Sequence, residues 1–305
     1  MPNVISAKEL SKNDLENILS LTGVMEEHYK EGKVKKVLED KIVACIFFEP
    51  STRTRLSFET AALRLGAKVI SAENAAENSS AHKGETIEDT TKILCSYADV
   101  IVIRHPVAGT LEKAEKVATK PLINAGDGTN QHPSQGLLDV YTIKKEKKRL
   151  TNLHIGFGGD LLNSRTLKSL MPFLRMYEGN KFYFLSPKEL ELPREFIKEL
   201  QENKVQFEEL KSLEEALPHL DVLYMTRVQK ERFKDVGEYE KVKDLFILKK
   251  EHLKILKSDA IIMHPLPKIN EIEPEVDADP RAAYFRQAQN GLYIRMALLC
   301  YVLGL

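Results

Sequence analysis

Ser51, Thr52, Arg53, Thr54 and Arg55 set three hydroxyls and two guanidinium groups in consecutive positions. They follow an apolar run, Ile42 to Phe48, and precede residues with helical apolar spacing up to Leu65. A buried strand therefore runs into the first turn of a helix, where backbone N–H groups lack partners and the helix dipole is positive. Such a corner holds anions, and the planar fork of arginine matches phosphate oxygens two at a time. A phosphate or phosphate ester is the simplest ligand. More polar groups stand at the ends of other strand-like runs: Arg104-His105-Pro106, Gln131-His132-Pro133-Ser134-Gln135, Arg165, Thr226-Arg227-Val228-Gln229 and His264-Pro265-Leu266-Pro267, with Lys83 in a polar stretch. Any one of these arginines is as readily a surface ion pair. Together, with few carboxylates beside them in sequence, they describe a cationic cleft for strongly anionic substrates.

The elements that must position these groups alternate along the chain. Strands are expected at Ile42 to Phe48, Ala67 to Ile70, Asp99 to Ile103 and Leu122 to Ala125, then at Leu153 to Phe157, Lys181 to Leu185, Val205 to Phe207, Asp221 to Met225 and Ala260 to Met263. Helices are expected between them. Ser11 and Asp14 frame a capping box before the apolar face of Leu15, Ile18, Leu19 and Leu21. Further helical spacing covers Thr54 to Leu65, Thr86 to Tyr97, Leu111 to Ala118, Pro133 to about Arg149, Asn163 to Met176, Arg194 to Glu202, Leu213 to Leu217, Leu248 to Lys257 and Arg281 to Leu303. Ser71 to Gly84 has no periodicity and reads as a loop, long enough to suggest a functional role. Two rounds of alternation predict an α/β protein of two doubly wound parallel-sheet domains, hinged by the helix before Arg149. Ligands of such sheets bind beyond the C-terminal strand ends, where the polar motifs fall.

Composition narrows the function class. The chain has 305 residues, 43% hydrophobic and 30% charged, with 45 basic against 45 acidic side chains and a pI near 7.1. Zero net charge disfavours nucleic-acid or membrane-surface binding through bulk electrostatics. No apolar run approaches the ~20 residues of a membrane helix, and the N-terminus lacks the plan of a signal peptide. Cys45, Cys95 and Cys300 sit apart in apolar contexts, as buried free thiols of a reducing, cytoplasmic compartment. No Cys or His spacing calls for a metal, and no cofactor is expected. Gly156-Phe157-Gly158-Gly159 follows a strand, but Leu161 stands where a dinucleotide fingerprint has its third glycine, so a packing turn is the better reading.

Taken in order and spacing, FEPSTRTR, RHP, QHPSQ, TRVQKERF and HPLPK resemble the catalytic chain of the aspartate carbamoyltransferases, over almost the full length. STRT with HPxQ marks the aspartate/ornithine carbamoyltransferase superfamily. TRVQKERF and HPLP mark its aspartate branch, and the SMG loop and HCLP segment of the ornithine branch are absent. The resemblance implies transfer of the carbamoyl group of carbamoyl phosphate to the amine of L-aspartate, an early step of pyrimidine synthesis. It implies a carbamoyl-phosphate domain at 1–134, to which a C-terminal helix at 287–305 returns, and an aspartate domain at 135–286. Ser51, Thr52, Arg53, Thr54, Arg104, His132 and Gln135 would hold carbamoyl phosphate. Arg53, Thr54, Lys83, Arg104 and His132 would be catalytic. Ser79, Lys83, Arg165, Arg227, Gln229, Leu266 and Pro267 would hold aspartate, with a cis bond before Pro267 aiming the Leu266 carbonyl. Glu49 and Arg232 would lock the domains. Ser79 and Lys83 would serve a neighbouring active site in a homotrimer; enzymes of this family work either as bare trimers or joined to a separate zinc-containing regulatory chain. A carbamoyltransferase for ornithine and a non-catalytic scaffold are the alternatives. Two departures stand out, Leu161-Leu162-Asn163-Ser164 before Arg165, and Lys268 where arginine is common.

Overall fold

Apolar runs without polar alternation become the central strands of parallel sheets, buried on both faces. The computed structural model describes residues 2–78, 80–229, 233, 235–242 and 244–305. Contacts divide the chain into two units: Met1–Tyr141 with Lys168–Phe173 and Gln289–Leu305, and Thr142–Leu167 with Leu174–Ala288.

The first unit holds β1 (Ile42–Phe47), β2 (Lys68–Glu73), β3 (Val100–His105) and β4 (Leu122–Asp127), all parallel, in the order β2-β1-β3-β4. β4 is buried throughout, whereas the edge strand β2 is largely exposed. Ala44, Ile46, Ile101, Ile103, Leu111 and Leu122 form one core layer. The helices are α1 (Lys12–Lys30), α2 (Thr52–Arg64), α3 (Ala75–Asn78), α4 (Ile87–Tyr97), α5 (Thr110–Glu115) and the start of α6 (Pro133–Lys147). The expected capping box opens α1: Ser11 Oγ accepts from the Asp14 N–H, and the Asp14 carboxylate accepts from the Ser11 N–H. Ser71 to Gly84 is more ordered than its sequence suggests. β2 continues to Glu73, α3 buries Ala75, and a 3₁₀ turn covers Ser80–Lys83. Elements this short show no period to read.

The second unit holds β5 (His154–Gly158), β6 (Lys181–Leu185), β7 (Gln206–Leu210), β8 (Val222–Met225) and β9 (Ile261–Met263), again all parallel, in the order β7-β6-β5-β8-β9. Its helices are the ends of α7 (Arg165–Leu174), whose Lys168–Phe173 belongs to the first unit, then α8 (Arg194–Glu202), α9 (Leu213–Ala216), α10 (Val236–Val242) and the first turn of α11 (Tyr284–Leu303). Leu248 to Lys257 is not a long helix; only a 3₁₀ turn forms, at Lys250–Lys254. α11 begins at Tyr284 rather than Arg281, because the backbone of 281–283 bonds Ile262 beside β9. The rest of α11 belongs to the first unit, where Tyr301 donates to Asp14 of α1 at 2.8 Å and Tyr293 packs on Tyr29. The glycines after β5 serve packing: a Cβ on Gly159 (φ +107) would lie 2.0 Å from the Thr226 carbonyl oxygen.

Strand order reverses between β1 and β3 in one sheet and between β5 and β8 in the other. Connections leave for opposite faces at those two points, which opens a crevice at the C-terminal strand ends.

Candidate active site

At the first switch point, Ser51 is the N-cap of α2 in an extended conformation, and its side chain makes no capping bond. The first turn of α2 also lacks an acidic residue. Its dipole and N–H groups therefore suit an external anion. Thr52 and Arg53 are exposed and Thr54 is buried. Thr54 Oγ1 lies 3.5 Å from His132 Nε2, which ties the start of α2 to the start of α6. The His132 N–H donates to Ser169 Oγ at 2.7 Å, and Ser134 Oγ lies 3.4 Å from its Nδ1. Gly136 permits this approach of α7, since a Cβ there would lie 2.5 Å from the Ser169 carbonyl oxygen. Gln135 is half-buried, and its Nε2 donates to Asp139 Oδ1 at 2.9 Å.

Arg104 sits where the β3–β4 register shifts. Its side chain lies on Gly126 (φ +127), where a Cβ would come within 3.2 Å of Nη1. Nη2 lies 2.6 Å from Glu49 Oε1, so the glutamate expected to lock the domains is paired with Arg104. Arg55 does not join the anion corner. It is held by Glu59 at 3.0 Å and by Glu73 at 2.8 Å. The cationic groups at strand ends thus have more carboxylate partners than their sequence neighbours suggest. Lys83 is exposed at the end of its 3₁₀ turn. Ser79 and Arg232 lie outside the described residues.

At the second switch point, the segments after β5 and β8 are laced together by Asp160, which is fully buried. Its Oδ1 accepts from the Asn163 N–H at 3.0 Å and its carboxylate from the Asn163 amide, while Gln229 Nε2 donates to the Asn163 carbonyl oxygen at 3.4 Å. The unusual Leu161-Leu162-Asn163-Ser164 segment is accommodated this way, with Leu161 buried and Asn163 closing the turn on Asp160. Arg165, at the start of α7, and Arg227, after β8, are both half-buried at these ends.

After β9, Leu266–Pro267 is cis and Leu266 has φ +55. The Leu266 N–H donates to His264 Nδ1 at 2.8 Å, and His264 Nε2 lies 2.7 Å from Glu271 Oε1. Glu271 also accepts from the Ile269 and Asn270 N–H groups, at 3.2 Å each. Burial holds the His264 imidazole below its usual range, against the pull of Glu271. Burial would raise Glu271, but its hydrogen bonds outweigh that and hold it below the usual carboxylate range. An ionised Glu271 therefore faces a neutral His264 whose proton is on Nε2. Lys268 is paired with Asp277 at 3.2 Å, and the Tyr284 hydroxyl bonds the same carboxylate.

Asp139, Asp160 and Glu271 were not legible as site residues. The one sequence signal is the four-residue spacing of Gln135 and Asp139. Among the described residues, no three His, Cys, Asp or Glu side chains gather as for a metal ion, and no helix is long and apolar enough to cross a membrane.

Comparison with known proteins gives consistent matches. Residues 3–145 match the family model described as aspartate/ornithine carbamoyltransferase, carbamoyl-P binding domain, and residues 151–302 the one described as its Asp/Orn binding domain. The chain is 50% identical over 302 residues to the aspartate carbamoyltransferase catalytic subunit of Clostridium novyi, covering 99% of this chain and 98% of that one. It is 46% identical over 300 residues to the chloroplastic aspartate carbamoyltransferase 1 of Pisum sativum, covering 98% and 78%. Among solved structures, the catalytic subunit of M. jannaschii aspartate transcarbamoylase superposes with a TM-score of 0.92 at 46% identity, over 100% and 98% of the two chains. Aspartate transcarbamoylase from Trypanosoma cruzi in complex with carbamoyl phosphate and aspartate superposes with a TM-score of 0.91 at 37% identity, over 97% and 95%.

Proposed function

The chain belongs to the aspartate/ornithine carbamoyltransferase family, and from that premise we propose that it transfers the carbamoyl group of carbamoyl phosphate to L-aspartate, giving N-carbamoyl-L-aspartate and phosphate for pyrimidine synthesis. One observation carries the reading: Thr54 Oγ1 and His132 Nε2 lie 3.5 Å apart, which puts a carbonyl-polarising pair beside a helix N-terminus suited to phosphate. Ser51, Thr52, Arg53 and Thr54 take the phosphate and Arg104 its carbonyl side. Gln135 takes the carbamoyl NH₂. In the tautomer with its proton on Nε2, His132 can donate to the carbonyl oxygen, and its Nδ1, 3.4 Å from Ser134 Oγ, can accept from that hydroxyl. Attack by the amine builds negative charge on that oxygen and on the leaving phosphate, and fixed donors lower this barrier. The phosphate takes the amine proton.

Arg165 and Arg227 neutralise the two aspartate carboxylates, and Gln229 adds a neutral donor. The Leu266 carbonyl receives the amine. Glu49 and Arg232 act in closure around the substrates. Ser79 and Lys83 serve the site of a neighbouring copy in a homotrimer. That assembly is supported by an apolar face next to the sheet edge: Leu56 and Leu63 are 47% and 58% exposed on one side of α2, and Ile70 of β2 is 38% exposed. The three free thiols support a cytoplasmic location.

A colorimetric carbamoyl-aspartate assay with ornithine as the control amine tests the reaction. Product with aspartate alone is expected, and no product, or equal use of ornithine, refutes the proposal. For the shared site, Lys83→Ala and His132→Ala enzymes are each expected to be nearly inactive and to regain activity when their subunits are mixed and reassembled. Sedimentation at the mass of one chain excludes the trimer.

A further inference from the structure

Gln135 has two nearly equal-sized ends, and its chemistry depends on which one faces the substrate. Only the acceptor end, Oε1, can bind the NH₂ of a carbamoyl group. One helical turn along α6, Asp139 is fully buried, and its Oδ1 lies 2.9 Å from Gln135 Nε2. This oxygen accepts from the amide, so it captures the NH₂ end and turns Oε1 away.

Arg295 of α11 is a buried charge nearby: a Cβ on Gly291 would meet both Arg295 and Leu138, the chain neighbour of Asp139. Arg295 is only 4% exposed. Its guanidinium carbon lies 5.1 Å from the centre of the Phe58 ring on α2, and its Nε has no hydrogen-bond partner. Gly291 leaves the room, since a Cβ there would lie 2.3 Å from Nη1. Burial draws Arg295 down to about 10, and the charge of Asp139 opposes the shift.

We propose that Asp139 is a positioning residue that fixes the amide orientation of Gln135 and so selects carbamoyl phosphate over acyl phosphates carrying a methyl group in place of the NH₂. The proposal rests on Gln135 facing the carbamoyl group. An acyl phosphate then leaves Oε1 opposite a methyl, an unpaired acceptor, and a site built to bind an N–H rejects the analogue that lacks it.

The test uses the full-length enzyme, with carbamoyl phosphate as substrate and acetyl phosphate as competitor. The readout is the ratio of the acetyl phosphate inhibition constant to the carbamoyl phosphate KM. Gln135→Ala is expected to collapse this ratio; an unchanged ratio removes the assignment of Gln135 and the proposal with it. Asp139→Asn presents an amide that can donate or accept, so Gln135 can sit either way round. The ratio is then expected to fall about tenfold, while KM for aspartate stays within twofold. If a lone guanidinium prevents folding, Asp139→Asn with Arg295→Met removes both charges together, which a buried pair tolerates better than the loss of one partner. The double variant is expected to show the same fall. A ratio within twofold of wild type in a folded variant, with Gln135→Ala still collapsing it, overturns the role of Asp139 and leaves the proposed reaction intact.

Discussion

Replacing Glu271 probes how the His264-Pro265-Leu266-Pro267 turn is held. The carboxylate is 3% exposed and faces His264 Nε2 and two backbone N–H groups. In Glu271→Ala, the N–H groups of Ile269 and Asn270 can turn to water, because Ile269 is exposed and Asn270 half-buried. His264, 1% exposed, cannot, and it loses the carboxylate 2.7 Å from its Nε2. A hydrogen bond to a charged group contributes about 1.5–3 kcal/mol, and leaving a buried polar group without its charged neighbour costs about 1–3 kcal/mol. These overlap, so a loss of about 3 kcal/mol is expected for Ala, and about 1 kcal/mol for Gln, which keeps an acceptor. At roughly 2–4 °C per kcal/mol, the melting midpoint falls by about 6–12 °C and about 2–4 °C respectively. The pH dependence has a defined sign. Folded His264 and folded Glu271 both lie below their ordinary values of 6.5 and 4.5, so the unfolded chain binds more protons. Their stabilisation is complete above 6.5 and is lost as pH falls through the two transitions. Thermal unfolding followed by circular dichroism from pH 7.5 to 4 reads both effects, and Glu271→Gln should flatten the curve below 4.5 while, by removing the charge that pulls His264 up, it extends the loss attributed to His264. KM for aspartate should rise in Glu271→Ala, since the Leu266 backbone is anchored through His264. An Ala variant melting within about 2 °C of wild type, with the same pH slope, refutes this account of the turn.

Removing the imidazole in His132→Ala should lower kcat by about 10²–10³, the usual cost of losing one oxyanion donor, with KM for aspartate little changed; full activity rejects the carbonyl-polarising role. Ser11→Ala removes the acceptor for the Asp14 N–H in the capping box of α1 and should destabilise the protein by about 1 kcal/mol, read as a shift in denaturation midpoint. Burial pushes the Cys45 thiol up to about 12 and Cys300 to about 11, and Cys95 is buried too. A thiol reagent at pH 8 should therefore label none of the three in native protein and all three after unfolding, and rapid labelling of the native state contradicts the burial argument.

What the sequence determined by itself was local. The period of apolar residues set the alternation of strands and helices, and the bounds of Lys181–Leu185 and Arg194–Glu202 agree with β6 and α8. The Ser11–Asp14 cap and the polar residues at strand ends were legible for the same reason: each depends on neighbours a few positions away in the chain. Where local bonding competes with long-range bonding, the pattern misleads. Residues 281–283 read as helix but bond Ile262 of β9, and α10, with 7 residues, is too short for its period to stand out. Partner choice was decided only by tertiary structure. Arg55 is taken out of the anion corner partly by Glu73, which the parallel pairing of β1 and β2 brings alongside. Asp139 feels Arg295 because α11 returns to the first unit. Charged groups interact through space, with a strength set by distance and burial, and neither follows from separation along the chain.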